Sequence, residues 1–294
     1  MSKYLGQHFL INKDKLREIV EALELKNGDT VIEIGPGHGE LTSEIVSKLQ
    51  SLKVKKFKII AIEKDEELAD SLKKWSLRAT EGSAAISGIA SALPRNDGKI
   101  EIIHGDALKI LPKISKTQNL KPNTYKVVGN IPYYITGYLL RILGELESKP
   151  SLIVLTIQKE VAERICAGKS KMNLLAASVQ FWAKPKIIGY ISKKDFQPAP
   201  GVDSAIIALS PRTDADWTRI DADKYYKLIK ILFKQPRKTI LNNLLVVCRD
   251  AKDANTHECR EKIIKKLRKL DIDPRARPQD LSIEQIEKLS FIMV

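Results

Sequence analysis

Strand-like and helix-like segments alternate along the first two thirds of this chain, and this alternation constrains the fold more than any other feature. From about residue 14 to 190, short apolar runs of strand length are separated by stretches with helical periodicity. Strands separated by helices are typical of a parallel sheet that is covered by helices on both faces. The apolar runs are Thr30–Ile34, Phe57–Ile62, Lys99–Ile103, Tyr125–Gly129, Leu152–Ile157 and Lys186–Ile191.

A seventh run, Asp203–Leu209, follows the sixth after only a short Pro-rich loop. That loop is too short for a crossover helix, so the run is expected to add antiparallel to the sheet edge. The sequence therefore predicts an α/β fold with a Rossmann-like, seven-stranded mixed sheet. The first β-α-β unit is expected to carry a small-molecule site.

The pattern changes near Ser210–Trp217, where Pro211 and a polar cluster end the strand signals. Beyond it the periodicity is helical and basic residues recur, so we expect one domain over residues 1–212 and a small all-helical domain over 213–294. The helical stretches are Ala222–Phe233, Arg237–Val247, His257–Leu270 and Ile283–Leu289. Ser76–Gly98, rich in Ser, Ala and Gly, is expected to be a flexible insertion without a catalytic role.

The charge of the chain limits its partners. A formal net charge of +14 and a pI near 9.5 favour a polyanion, RNA or DNA ahead of an anionic membrane, although a solvated basic surface is the alternative. Three scattered cysteines argue for a reducing compartment and against a disulfide framework. Neither the cysteines nor the four histidines have metal-ligand spacing, so no metal is expected. With a polar N-terminus and no membrane-length apolar run, the expected location is the cytoplasm.

A glycine-rich loop, residues 33–39 (EIGPGHG), follows the first strand of the parallel pattern. Gly35 and Gly37 would let the backbone turn sharply and approach a ligand. The loop is one residue short of a dinucleotide fingerprint, and Glu33 would repel a pyrophosphate. A cationic ligand with an amino group, such as S-adenosylmethionine, suits it better.

Two carboxylates end the next two strands of the pattern and extend this candidate cofactor site. Glu63 could accept hydrogen bonds from ribose hydroxyls, and Asp106 could accept one from an adenine amine. The alternative is that both side chains only cap the helices that follow them.

The tetrapeptide Asn130-Ile131-Pro132-Tyr133 ends the fourth strand and has the groups needed to methylate an exocyclic amine. The Asn130 side-chain oxygen and the Pro132 carbonyl could accept both hydrogens of an adenine N6. Tyr133 could stack on a base that has left its helix. An ordinary strand-to-helix turn is the alternative, because Asn and Pro are common turn residues.

Together these segments resemble the ribosomal RNA adenine N6,N6-dimethyltransferase family, and within it the members that act on the small subunit. The resemblance spans nearly the whole chain. Its motifs are Leu5–Asn12, Glu33–Gly39, Asn130–Tyr133, Gln158–Arg164, Phe196–Ser204, Pro236–Leu244 and Arg277–Ser282.

The resemblance implies S-adenosylmethionine as cofactor and a monomer that binds small-subunit rRNA in the immature 30S particle. It implies that two adjacent adenosines in the hairpin loop near the 3′ end of that rRNA are dimethylated at N6. The residues implied to contact or border the cofactor are His8, Leu10, Gly35, Gly37, Glu63, Asp106 and Asn130. Those implied to hold the adenine are Asn130, Pro132, Tyr133 and Phe196.

Two departures from the family pattern and two rival functions accompany this interpretation. His8 replaces an Asn of many relatives, and Ser76–Gly98 is longer than the usual connection. The rivals are a large-subunit rRNA dimethyltransferase of the macrolide-resistance type and a ribosome-assembly factor whose catalysis is secondary. A DNA adenine methyltransferase is disfavoured because those enzymes tend to carry an acidic residue at the position of Asn130.

Overall fold

The computed structural model describes residues 7–80, 98–117, 120–213, 220–246, 248 and 256–293. It resolves into two compact units: Met1–Ala162 with Lys186–Pro211, and Glu163–Pro185 with Arg212–Val294. No helix of the described residues is long and apolar enough to cross a membrane. The region 81–97, most of the expected insertion, lies outside the described residues, as do Leu5 and Gly6 of the N-terminal motif.

The first unit is built on a seven-stranded sheet with the order β4-β3-β2-β5-β6-β9-β7. Its strands are β2 (Thr30–Ile34), β3 (Phe57–Glu63), β4 (Gly98–His104), β5 (Tyr125–Asn130), β6 (Leu152–Gln158), β7 (Ala183–Ile191) and β9 (Ser204–Pro211). The pairs among β2 to β6 are parallel, and β9 pairs antiparallel with β6. All seven strands expected from the apolar runs are present. The position expected for the last one was wrong, because β9 lies between β6 and β7, and β7 forms the edge.

Helices connect these strands and cover the sheet. They are α1 (Lys13–Ala22), α2 (Glu40–Ser51), α3 (Glu66–Thr80), α4 (Ala107–Thr117), α5 (Thr136–Glu145) and α6 (Lys159–Ile165). Residues 76–80 continue α3 and Gly98 begins β4, so both ends of the expected insertion belong to regular structure. The central strands are buried almost throughout, as expected for strands packed on both faces.

The second unit is helical. It contains α7 (Leu174–Gln180), α8 (Ala222–Leu232), α9 (Ile240–Leu244), α10 (Thr256–Lys269) and α11 (Ile283–Met293). It also takes Glu163–Pro185, which the sequence had assigned to the first domain. The physical reason is packing, since Phe181 at the end of α7 stacks on Tyr225 of α8 with ring centroids 4.1 Å apart. That contact joins segments far apart in sequence, and no local pattern announces it.

Two details of this unit differ from the expectations. The helix expected from Arg237 begins at Ile240, because the Thr239 hydroxyl accepts the Asn242 N–H as an N-cap. Cys248 and Cys259 form a disulfide with Cα atoms 6.1 Å apart, whereas no disulfide was expected. The two cysteines are 11 residues apart in the sequence, and that spacing alone does not predict a bond. The distance between their Cα atoms is within the range found for disulfides.

Candidate active site

An open cleft lies at the carboxyl ends of the parallel strands of the first unit. Ligands bind at this edge in open α/β sheets because the strand-to-helix loops diverge there. The cleft is lined by the ends of β2, β3 and β5, by the residues that follow β4, and by the N-terminal segment. Of the predicted site residues, it brings together His8, Gly35, Gly37, Glu63, Asp106, Asn130, Pro132, Tyr133 and Phe196.

The glycine-rich loop has backbone conformations that favour glycine. Gly35 has a φ of 66° and Gly37 a φ of 61°, in the left-handed region. A Cβ on Gly37 would lie 2.7 Å from the Phe9 ring, so a side chain has no room there. A Cβ on Gly35 would meet nothing within 4 Å, which leaves space beside the backbone for a ligand.

Glu63 holds this loop and the end of β3 together. Its side chain is buried, Oε2 accepts the Gly37 N–H at 3.0 Å, and Oε1 accepts the Asp65 N–H at 2.9 Å. Each carboxylate oxygen has a further lone pair. Glu63 therefore fixes the loop and can still accept a hydrogen bond from a ligand hydroxyl.

Asp106 caps the helix that follows it, and it also faces the cleft. Its Oδ1 accepts the Leu108 N–H at 3.0 Å at the start of α4, and its Oδ2 lies 3.7 Å from Lys64 Nζ. It also lines the cleft. Capping and ligand binding are compatible here, because a carboxylate that is fixed by its backbone is already oriented for a donor.

Glu33 is not at the cleft, which corrects the role expected for it. It is completely buried, its Oε2 accepts the Thr42 hydroxyl at 2.7 Å, and its Oε1 has no partner among the described residues. Burial raises the pKa of this carboxyl to about 7, the Thr42 hydrogen bond opposes that shift, and the nearby Glu40 and Glu63 add to it. Glu33 therefore belongs to the buried interior of the fold, where it is hydrogen-bonded to Thr42 of α2.

The Asn130 amide is oriented by the N-terminal segment. Its Nδ2 donates to the His8 carbonyl at 2.7 Å, and because a carbonyl only accepts, this bond decides which side of the amide carries the NH₂. The other amide atom, Oδ1, has no hydrogen-bond partner within the described part of the chain. The cleft thus contains a fixed acceptor where β5 ends.

The turn after Asn130 adds a second acceptor and an aromatic ring. The Pro132 carbonyl already accepts the Ile135 N–H at 3.1 Å in a 3₁₀ turn over Tyr133–Ile135, whereas the Ile131 carbonyl accepts nothing from the described backbone. The more available carbonyl is therefore that of Ile131. The Tyr133 hydroxyl is 2.7 Å from Ser204 Oγ, and burial raises the pKa of Tyr133, so its ring is fixed and its hydroxyl stays protonated.

The N-terminal segment is anchored to the rest of the first unit from His8 onward. β1 (Phe9–Leu10) pairs antiparallel with β8 (Phe196–Gln197), and His8 Nδ1 donates to the Pro198 carbonyl at 2.7 Å. Leu10 does not reach the cleft; it is buried in the hydrophobic core. Phe196 is also largely buried, but it contributes to the cleft wall.

The cleft fits a methyl donor of the expected kind. Its lining includes carboxylate and amide oxygens that can accept hydrogen bonds, and apolar side chains such as Ile34 and Ile62. Because Gly35 has no side chain, a ligand can approach the backbone there. S-adenosylmethionine offers ribose hydroxyls and amines as donors and an adenine ring for the apolar wall, so the chemistry is complementary.

Comparison with known proteins decides the family. A model of the ribosomal RNA adenine dimethylase family matches residues 1–274. The chain belongs to the ribosomal RNA adenine dimethylase family. The resemblance drawn from the motifs is thereby confirmed, and with it the class of enzyme, a methyltransferase.

Relatives of known name cover nearly the whole chain. Ribosomal RNA small subunit methyltransferase A of Dehalococcoides mccartyi is 34% identical over 290 residues, 99% of this chain and 87% of the relative. The protein of the same name from Lactobacillus acidophilus is 33% identical over 300 residues. The match covers 98% of this chain and 90% of the relative.

Two solved structures share the fold over nearly their full length. A dimethyladenosine transferase from Plasmodium falciparum has a TM-score of 0.71 with 25% identity, covering 96% of both chains. The 23S rRNA methyltransferase ErmE has a TM-score of 0.64 with 22% identity, covering 97% of this chain and 99% of its own. The fold expected from the sequence, an α/β methyltransferase sheet with a helical C-terminal part, is confirmed.

Sequence reasoning missed several residues of this adenine dimethylase cleft. Gln7, Phe9 and Tyr134 line it, as do Lys64 and Gly105. Each is a sequence neighbour of a predicted residue, so widening each motif by one position would have found them. The hydrogen bond between Asn130 and His8 had no signal in the sequence, because it links residues 122 positions apart.

Proposed function

We propose that this chain uses S-adenosylmethionine to dimethylate N6 of two adjacent adenosines in the hairpin loop near the 3′ end of small-subunit rRNA, during small-subunit biogenesis. The observation that carries the proposal is the Asn130 amide, held by the His8 carbonyl with Oδ1 available in the cleft. The names of the relatives from D. mccartyi and L. acidophilus support the small subunit over the large one.

The cofactor would lie between the glycine-rich loop and the end of β5. Glu63 would accept from the ribose hydroxyls, Asp106 from the adenine amine, and the loop backbone at Gly35 and Gly37 would lie against the methionine part. When bound, S-adenosylmethionine supplies a methyl group already activated by its sulfonium. The protein therefore has to orient the two reactants rather than activate the donor.

The target adenine would be held by the turn after β5. Its N6 is a poor nucleophile because the lone pair is delocalised into the ring. Asn130 Oδ1 and the Ile131 carbonyl, which replaces the carbonyl of Pro132 in this role, would accept the two N6 hydrogens and leave the lone pair directed at the methyl group. Tyr133 and Phe196 would cover the two faces of the base. Once N6 has bonded to the methyl group, its proton is acidic enough to leave to water, so no basic side chain is required.

The second methylation adds a constraint on these acceptors. After the first transfer only one hydrogen remains on N6, so one acceptor must release the amine and the cleft must accommodate a methyl group. The cleft is open to solvent on one side, so the methylated base could shift within it.

The C-terminal helical domain proposed for residues 213–294 would bind rRNA phosphates. Three arginines line one groove of this unit together with Asp271 and Asp273: Arg260, Arg268 and Arg275. Their guanidinium groups form no ion pair within the described residues. Arginine groups without a protein partner are suited to phosphate oxygens. The net charge of +14 provides the long-range attraction.

Methyl transfer from labelled S-adenosylmethionine to immature small subunits, naked small-subunit rRNA and large-subunit rRNA tests the proposal, with the modified positions mapped by primer extension. The expected result is dimethylation of two adjacent adenosines near the 3′ end of the small-subunit rRNA. Modification of large-subunit rRNA instead would identify a macrolide-resistance type of activity. Tight binding to immature subunits without methyl transfer would identify an assembly factor.

A further inference from the structure

We propose that Tyr134, Gly137 and Tyr138 form a ledge that stacks the unpaired RNA base next to the target adenosine. This tyrosine ledge deepens the proposed function and rests on it, because it assumes that single-stranded RNA enters the cleft. It would determine how the loop, rather than the target base alone, is positioned.

Two tyrosines stand exposed at the mouth of the cleft. The Tyr134 side chain follows Tyr133 directly, lines the cleft and is 63% exposed. Tyr138, in the first turn of α5, is 60% exposed. The 3₁₀ turn over Tyr133–Ile135 continues directly into α5, so residues four apart lie on the same side of the helical backbone. Both rings are large apolar surfaces that the fold itself does not cover.

Gly137, between the two tyrosines, meets no close neighbour among the described residues that would require a glycine. Its φ is not in the left-handed region, and a Cβ on it would meet nothing within 4 Å. Glycine is unfavourable in a helix relative to alanine, so neither the backbone nor the packing accounts for it. The glycine would be explained if a flat group lay over the helix between Tyr134 and Tyr138. The Cβ of any other residue at position 137 would then push the flat group away from the backbone.

An RNA base is the occupant that fits this ledge. The ledge is continuous with the cleft through Tyr134, so whatever lies next to the target adenine in the substrate reaches it first. Exposed aromatic rings bind unpaired bases by stacking with little preference for sequence. The chain has a net charge of +14 and therefore favours a polyanion. A nucleic acid fits better than an acidic protein surface, because its negative charges are more densely spaced.

The test combines a binding signal with enzyme kinetics. A single-stranded RNA with 2-aminopurine beside an adenosine reports stacking as fluorescence quenching on binding. The variants are Tyr138→Ala, which removes a ring, Tyr138→Phe, which keeps it, and Gly137→Ala, which fills the ledge. The control is Leu52→Ala, an exposed apolar residue just after α2, at the opposite edge of the sheet from the cleft.

Tyr138→Ala should raise the KM for RNA roughly ten-fold, the effect of losing one stacked base, and should reduce the quenching. The value of kcat and the Kd for S-adenosylmethionine should stay within about two-fold, since the ledge does not touch the reacting atoms. Tyr138→Phe and Leu52→Ala should behave as the unmodified protein. Gly137→Ala should weaken RNA binding in the same way while its Tm stays equal or rises, a combination that a purely structural glycine does not give.

The outcomes separate the ledge from the proposed function. Methylation with normal KM in Tyr138→Ala and Gly137→Ala would overturn the ledge and leave the function standing. Quenching that depends on Tyr138, without methylation of any rRNA, would overturn the function and leave a base-binding ledge. Absence of quenching in the unmodified protein, or equal losses in Tyr138→Phe and Tyr138→Ala, would also overturn the ledge.

Discussion

At the scale of single residues, Glu33 and Glu63 show how neighbouring strands give the same side chain different functions. Glu63 lines the cleft and has both oxygens hydrogen-bonded to backbone N–H groups. Glu33 is sealed from the cleft with one oxygen unpartnered among the described residues. The sequence could not separate the two, since each is an acid near the end of an apolar run.

Replacing Glu63 by Ala should raise the Kd for S-adenosylmethionine, with a loss on the order of 1–3 kcal/mol for hydrogen bonds to a charged acceptor. Calorimetry measures the affinity, and Glu67→Ala, on the exposed first turn of α3, is the matched control. An unchanged affinity in Glu63→Ala would remove Glu63 from the cofactor site.

Glu33 should make the stability of the fold depend on pH. Its pKa is raised to about 7 in the folded state from 4.5. The folded chain therefore holds this proton more tightly than the unfolded chain does. The stability linked to it is complete below pH 4.5 and is lost as the pH rises through about 7.

Glu33→Gln removes that titration and keeps an acceptor for Thr42. The free energy of unfolding of the unmodified protein should therefore fall relative to Glu33→Gln between about pH 5 and pH 8, by on the order of 2–3 kcal/mol. Urea unfolding at a series of pH values measures the difference, with the exposed Glu147→Gln as control. Parallel pH curves for the unmodified protein and Glu33→Gln would show that Glu33 is ionised at both ends of the range.

At the scale of elements, the disulfide between Cys248 and Cys259 links a residue that follows α9 to the first turn of α10. Closing a loop over 11 residues is worth about 2–3 kcal/mol in the chain-entropy model. Cys248→Ser, or reduction of the unmodified protein, should lower the stability of the helical unit by about that amount in a denaturant titration. Cys166→Ser, at the cysteine that is not part of this disulfide, is the control. Equal stability with and without reductant would mean that the two thiols are not bonded in solution.

The strands could be predicted from the sequence where burial of the sheet faces requires apolar residues. Runs such as Ile59–Ile62 and Val127–Val128 are apolar because helices cover them on both sides, and this signal is local. The place of β9 between β6 and β7 was not predictable from its apolar run. The short loop indicated an antiparallel direction, but the order of strands in a sheet depends on contacts between distant segments.

At the scale of the whole molecule, the same limit applies to the division into units. Pro211 and the polar cluster after it mark one passage of the chain between the units, at 211–212. The chain also crosses between the units at 162–163 and 185–186, where the amino-acid composition does not change. These boundaries depend instead on the packing of α7 against α8, which the local sequence does not reveal. The candidate site was more predictable, since nine of its residues end strands or lie in recognisable motifs. Leu10 was the exception, because its motif marks it but its side chain faces the core.

The arginine groove of the helical unit has a consequence for RNA binding as a function of salt. Changing Arg260, Arg268 and Arg275 together to Gln should weaken binding of small-subunit rRNA and flatten the log–log salt dependence by about two units, at roughly 0.7 per contact to single strands. Lys262→Gln, at a lysine of the same helix as Arg260 that is paired with Glu258, is the control for the loss of a single charge. An unchanged slope in the triple variant would mean that the groove is a solvated basic surface.

The most direct test of the proposed role of Asn130 in adenine dimethylation is single-turnover methyl transfer to immature small subunits. The unmodified enzyme is compared with Asn130→Ala. The product is digested to nucleosides and analysed by mass spectrometry. We expect the unmodified enzyme to form N6,N6-dimethyladenosine. In Asn130→Ala the transfer rate should fall by on the order of a hundred-fold or more, while the Kd for S-adenosylmethionine changes by only a few-fold, because the lost acceptor acts on the amine where charge develops. Monomethyladenosine alone from the unmodified enzyme, or an Asn130→Ala variant that transfers methyl groups at the normal rate, would contradict the account.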